Sequence, residues 1–130
     1  MGMTLERLAG FGEAWRRKDL DLLMEFMTDD CVFRASVGPE PGMTFRGRAE
    51  VREGFELMLA YDAGLESRPG GVAFIAGDRG ASQWSYSGTD ADGRVHEVHG
   101  CDMFEFDGDR IRVKDAYRRV HGDIGHAATD

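Results

Sequence analysis

The stretch HGCDMFEF, residues 99–106, sets an aspartate among apolar residues in a run that alternates as a strand does. Such a strand points Val98, Asp102, Phe104 and Phe106 to one face. A carboxyl group on an apolar face loses hydration when it ionises, so it favours the neutral form unless a cation or donors compensate. A group poised that way suits general acid/base work. The structural alternative is an aspartate bonded to the backbone or to an arginine at the mouth of the core. Asp102 is the first candidate for chemistry. Upstream, in ASQWSYSG, Trp84 and Tyr86 share a strand face with Ser82, while Gln83, Ser85 and Ser87 point the other way. On a concave surface these rings would wall a site for a flat apolar ligand; in a filled core they only pack. Tyr86 adds a phenol that can donate a hydrogen bond, although a buried tyrosine commonly spends it on the backbone.

The histidines read as surface or interface residues. His96 and His99 in HEVH are three apart, so a strand sends them to opposite faces and they cannot grip one ion together. His99 also faces away from Asp102, and His121 and His126 lie beyond the last expected strand. Cys31 and Cys101 form no CxxC pair and are expected as free thiols, which suits a cytoplasmic protein. Arg110, Arg112, Arg118 and Arg119 are expected as a solvated charge pattern at the sheet edge or outer face. Neither a metal nor an organic cofactor is expected.

The elements that position these residues follow from periodicity. Leu5, Leu8, Phe11 and Trp15 recur at helical spacing, and KDLDLLMEFM opens a second helix with Asp19 as its N-cap. TDD is expected to break that helix before the strand CVFRASVG, and GPEPGMTFRG reads as loop. A third helix, GRAEVREGFELMLAYDAG, carries Val51, Phe55, Met58 and Leu59 on its inner stripe. From residue 65 the character turns to β: GVAFIAGDRG, ASQWSYSG, RVHEVHGCDMFEF and DRIRVKDAYRRV, separated by turn-rich pieces such as TDADGR and DGDR. The expected fold is α+β: a cone-shaped, curved, mainly antiparallel mixed sheet with three helices from the N-terminal half closing over its concave face. A cone not completely filled leaves an apolar pocket.

The 130 residues are expected to form one domain over 1–122 with a loose tail over 123–130. A net charge of −8 argues against nucleic acid and anionic membrane surfaces. No apolar run approaches the roughly 20 residues of a membrane span, and the N-terminus lacks the pattern of a secretory signal.

Three stretches carry a resemblance. RRKDLDLLMEFMTDDCVF, VGPEP with GRAEVREGF after it, and DMFEFDGDRI resemble the nuclear transport factor 2-like superfamily, in its SnoaL-like and ketosteroid-isomerase-like branch, from about Leu5 to Val120. The fold it implies hosts isomerases, cyclases, dehydratases, epoxide hydrolases and non-enzymes. Of the isomerases' catalytic groups, the tyrosine falls on Phe11 and the general-base aspartate on Ala35, neither of which can do that chemistry. The second aspartate, a hydrogen-bond donor, falls on Asp102 and survives. The Arg-x-Asp pair of the epoxide hydrolases falls near Gln83 and Ser85. The last-strand aspartate of the epoxide hydrolases and of the polyketide cyclases resembles Asp115 in VKDAYR. Measured from Ile111, however, the family spacing lands on Ala116, whereas simple alternation groups Asp115 with Ile111, Val113 and Tyr117. The two conflict unless a bulge intervenes.

The reading that results is a small enzyme that moves a proton on an apolar cyclic or polyketide-like compound, as an isomerase, cyclase or dehydratase. Asp102 is its acid/base or oxyanion donor, with Asp115 and Tyr86 as further catalytic candidates. Phe11, Trp15, Phe33, Ala35, Phe55, Trp84 and Phe104 shape the pocket. The alternative is a binding or interaction domain whose catalytic set has decayed, as the losses at Phe11 and Ala35 suggest. Sheets of the family commonly dimerise through the convex face, and the row Glu97, His99, Cys101, Met103 and Glu105 would suit such an interface.

Overall fold

The computed structural model describes residues 2–121; the expected tail over 123–130 lies outside them. Helix α1 (Leu5–Arg16) starts where the Thr4 hydroxyl accepts the Arg7 amide at 3.1 Å, the usual service of an N-cap. The chain leaves it through Lys18, whose φ of 57° lies in the left-handed region. Asp19 then caps α2 (Leu20–Glu25) by accepting the Leu22 amide at 3.2 Å. The third helix, α3 (Gly47–Tyr61), turns Val51, Gly54, Phe55 and Met58 inward.

The strands are β1 (Met27–Arg34), β2 (Thr44–Arg46), β3 (Glu66–Arg68), β4 (Ala73–Ala76), β5 (Arg79–Thr89), β6 (Val95–Asp107) and β7 (Arg110–Arg118). They form one seven-stranded sheet in the order β2-β1-β7-β6-β5-β3, with β4 beside the other end of β5. Only the β1–β7 pairing is parallel, so the sheet is mixed, open and curved, and the three-helix α+β expectation holds. Two boundaries differ: Thr44–Arg46, expected within a loop, pair with β1 as strand β2, and the second helix ends earlier than expected. Thr28, Asp29 and Asp30 were expected to break the second helix, yet they lie inside β1, which begins at Met27. The β1–β7 register slips between Met27 and Val32, and this irregularity accommodates the two exposed aspartates.

The core joins the helices to the concave face. Phe55 is fully buried, with ring centres 5.0 Å from Phe33, 5.2 Å from Trp15 and 6.2 Å from Phe11. These edge-on contacts add to a burial worth roughly 2–3 kcal/mol per large side chain. Leu23, Met27, Phe33, Val51 and Ile111 complete the most enclosed layer.

One irregularity decides what faces the concavity. Between β6 and β7 the pairs run from Gly100↔Arg118 to Glu105↔Val113, then resume as Phe106↔Ile111. Arg112 is the extra residue, and it bonds outward to Glu105. An extra residue on one strand reverses the parity beyond it. Ile111 and Lys114 therefore both point inward, three positions apart.

Candidate active site

Across the centre of the sheet the inner-facing residues fall into rows fixed by the register. Gly80, Phe104 and Lys114 form one row; Ser82, Asp102 and Ala116 the next; Trp84, Gly100 and Arg118 a third. Small residues on both sides of Asp102, and a glycine beyond, keep this floor low. Above it lies a cavity of about 440 Å³, a size suited to a small organic molecule. Its walls include Phe11 and Trp15 of α1, Phe33 of β1, Met58 of α3, and Trp84, Tyr86 and Phe104 of the sheet. Exposed lining residues on α1 (Glu13, Arg16) and on the segment from Arg68 to Gly71 flank its mouth.

The carboxylate of Asp102 does look into this space, but it is not alone. Lys114, one step along the neighbouring strand, reaches diagonally across and places Nζ 3.0 Å from Asp102 Oδ1. Both residues are nearly buried, at 6% and 5% exposure. The same ammonium lies 4.5 Å from the Trp15 ring centre and 4.9 Å from that of Phe33, where the negative ring faces attract a cation. The apolar surroundings expected for Asp102 thus hold a compensating charge that simple alternation along β7 had sent to the outer face.

A second ion pair stands at the side of the cavity. Arg118 clamps Asp62, just past the end of α3, with Nη1–Oδ1 at 3.2 Å and Nη2–Oδ2 at 2.8 Å. Its Nε donates to Ser36 Oγ at 3.3 Å, and its guanidinium lies 5.5 Å from the ring centres of both Tyr61 and Trp84. Arg118 was expected among solvated outer charges; the bulge in β7 turns it inward instead. Burial, helped by the carboxylates of Asp102 and Asp62, pushes the Tyr86 phenol up to about 12, so its hydroxyl keeps its proton through the neutral range.

The remaining candidates separate cleanly. Phe11, Trp15, Phe33, Trp84, Tyr86, Asp102 and Phe104 line the cavity. Ala35 and Phe55 do not: both are buried behind the wall, Phe55 beneath the Phe11, Trp15 and Phe33 rings and Ala35 bonded to Met43 through its amide. Asp115 is a correction as well. It lies on the outer face, 3.8 Å from Arg34 and accepting a hydrogen bond from Tyr117, because the bulge gives the inner position to Ala116. His96 and His99 pair with Asp90 and Glu97 at 2.7 and 2.8 Å, away from the cavity. Among the described residues no three His, Cys, Asp or Glu side chains converge to hold a metal, and both cysteines are free.

Sequence reasoning missed Lys114, Arg118 and Asp62. A signal for the first two existed: a β7 spacing that brings Ala116 inward brings Lys114 and Arg118 inward with it.

Comparison with known proteins gives a coherent picture. The sequence profile of the SnoaL-like domain matches residues 8–114. An NTF2-like protein of unknown function from Mesorhizobium loti is 26% identical, with a TM-score of 0.71 over 88% of this chain and 89% of that one. A Xanthomonas campestris protein provisionally called a polyketide cyclase superposes with a TM-score of 0.65 at 18% identity, covering 95% of this chain and 96% of that one. A Bacillus subtilis protein provisionally called an isomerase gives 0.66 at 17% identity, covering 88% and 84%. At such identities the last two speak for the fold alone. No curated protein sequence matches the chain.

Proposed function

The chain belongs to the SnoaL-like domain family, and on that premise we propose that it is an enzyme that moves a proton on an apolar, cyclic or polyketide-like compound. Isomerisation, cyclisation and dehydration are the reactions in reach, and the scheme calls on neither metal nor organic cofactor. The observation that carries the reading is a buried carboxylate, paired with Lys114, on the wall of a cavity of about 440 Å³ lined by the rings of Phe11, Trp15, Phe33, Trp84, Tyr86 and Phe104. Asp102 takes a proton from the carbon beside a carbonyl group and returns it elsewhere. Tyr86 offers a protonated hydroxyl on the same wall. Trp84, Phe104, Phe11 and Trp15 exclude water and hold the flat body of the substrate. The names carried by the Xanthomonas and Bacillus proteins agree with this class of reaction.

Two further elements complete the proposal. The free thiols suit a cytoplasmic setting. The convex face, where Met103 and Tyr117 stand about half exposed among His99, Glu97 and Glu105, joins two copies into a homodimer.

The reaction is tested without knowing the natural substrate. Wild-type protein in D₂O is expected to exchange the acidic C–H protons of 2-tetralone, a flat bicyclic ketone, as followed by NMR. Asp102→Asn is expected to slow that exchange by about a hundredfold or more, the scale of general acid/base catalysis. No exchange above buffer with 2-tetralone or with a panel of polyketide lactones would leave a binding or interaction domain.

A further inference from the structure

Lys114 has more than one feature that a mere counter-ion to Asp102 would not need. It is buried on the cavity wall, and one of its three N–H donors goes to Asp102 at 3.0 Å. Two ring faces hold the nitrogen from the side, at 4.5 and 4.9 Å from Trp15 and Phe33. No other hydrogen bond from this ammonium to protein is seen among the described residues, and the cavity lies in front of it. The nitrogen thus faces the cavity as a hydrogen-bond donor, with a carboxylate and two negative ring faces beside it.

From this geometry we infer that Lys114 is a catalytic residue, whose ammonium donates a hydrogen bond to the carbonyl oxygen of the substrate and stabilises the enolate that forms there. The inference rests on the reading of Asp102 as the proton carrier and narrows the substrate to a carbonyl compound with an acidic C–H. The step balances within the site. Asp102 takes the proton from carbon, and the C–H electron pair becomes the enolate π bond. The carbonyl π electrons move to oxygen, and Lys114 bonds to that oxygen without giving up its proton. Return of the proton from Asp102 to the same or a conjugated carbon restores the carbonyl. No co-reactant is required. A donor already aimed at the place where charge develops, in a site shielded from water, acts most strongly at that moment. Asp102 and Lys114, side by side, would then serve carbon and oxygen of one reacting unit.

The experiment compares bound 2-tetralone in wild type, Asp102→Asn and the double variant Asp102→Asn/Lys114→Met, reading the carbonyl stretch by difference infrared spectroscopy. The double variant carries no buried charge from this pair, and near-ultraviolet circular dichroism of each variant establishes that it is folded under the conditions of binding. The expected result is a carbonyl band at lower wavenumber in wild type and in Asp102→Asn than in the double variant, with ketone bound at least about tenfold more weakly by the double variant. Equal bands and equal affinities in Asp102→Asn and the double variant would overturn the role of Lys114 while leaving Asp102 exchange intact. Trapping of the ketone on Lys114 by cyanoborohydride would also overturn it, by showing a nucleophilic amine. If wild type binds no ketone at all, the proton-transfer reading falls together with it.

Discussion

Asp102 and Lys114 stand 3.0 Å apart in a setting with little water, and each makes the other's burial tolerable. Taking ions out of water costs several kcal/mol apiece, and the attraction between them offsets that cost only while both are present. Either Asp102→Asn or Lys114→Met alone is therefore expected to destabilise the fold by about 3–5 kcal/mol, the cost of stranding one buried charge. The double variant is expected to recover most of the loss. Denaturant titrations of the four proteins give the cycle, and additive losses would show that the two groups do not support each other. Asp102 was legible in the sequence because two phenylalanines and a valine share its parity. Lys114 was not. Simple alternation set it on the outer face, only the family spacing that places Ala116 inward pointed the other way, and a lysine's default place is the surface.

At the scale of elements, the helices announced themselves through caps and apolar stripes, and Thr4, Asp19 and the inner row of α3 perform as their types suggest. Strand β7 is where alternation failed. A single extra residue at Arg112 exchanged the roles of Asp115 and Ala116 and brought Arg118 inside. Bulges have no strong sequence signature, because their stability comes from the partner strand. Gly100 marks a second element-level constraint. It faces Trp84 on β5 and Arg118 on β7, and a Cβ there would meet the Tyr117 carbonyl oxygen and the Trp84 ring. The ring of Trp84 lies over the glycine, and the Arg118 guanidinium approaches that ring at 5.5 Å. Gly100→Ala is expected to cost about 1–3 kcal/mol by overpacking and to displace Trp84 into the cavity. Thermal unfolding reads the first effect and a changed tryptophan emission the second; an unchanged spectrum and melting point would refute it.

The whole molecule is a curved sheet with helices packed against part of it and a cavity of about 440 Å³ left over the rest. Among the described residues no helix is long and apolar enough to cross a membrane. On the convex side Met103 and Tyr117 are 49% and 55% exposed within a row of charged and polar residues. The proposed dimer predicts a sedimenting mass twice the 14.4 kDa of one chain, and Met103→Lys is expected to shift it toward a single chain by placing a charge at the centre of the contact. A mass of one chain at every concentration would exclude the dimer.

Local chemistry, written in the order of residues, was enough to specify three helices, a β-rich second half, a curved sheet and one acid set among apolar neighbours. These depend on periodicity and capping, which act over a few residues. What tertiary structure alone decided was the partner of that acid, the inward turn of Arg118 onto Asp62, and the burial of Phe55 and Ala35 behind the wall instead of on it. Those outcomes depend on register between distant strands, and register is set by the packing of the whole sheet.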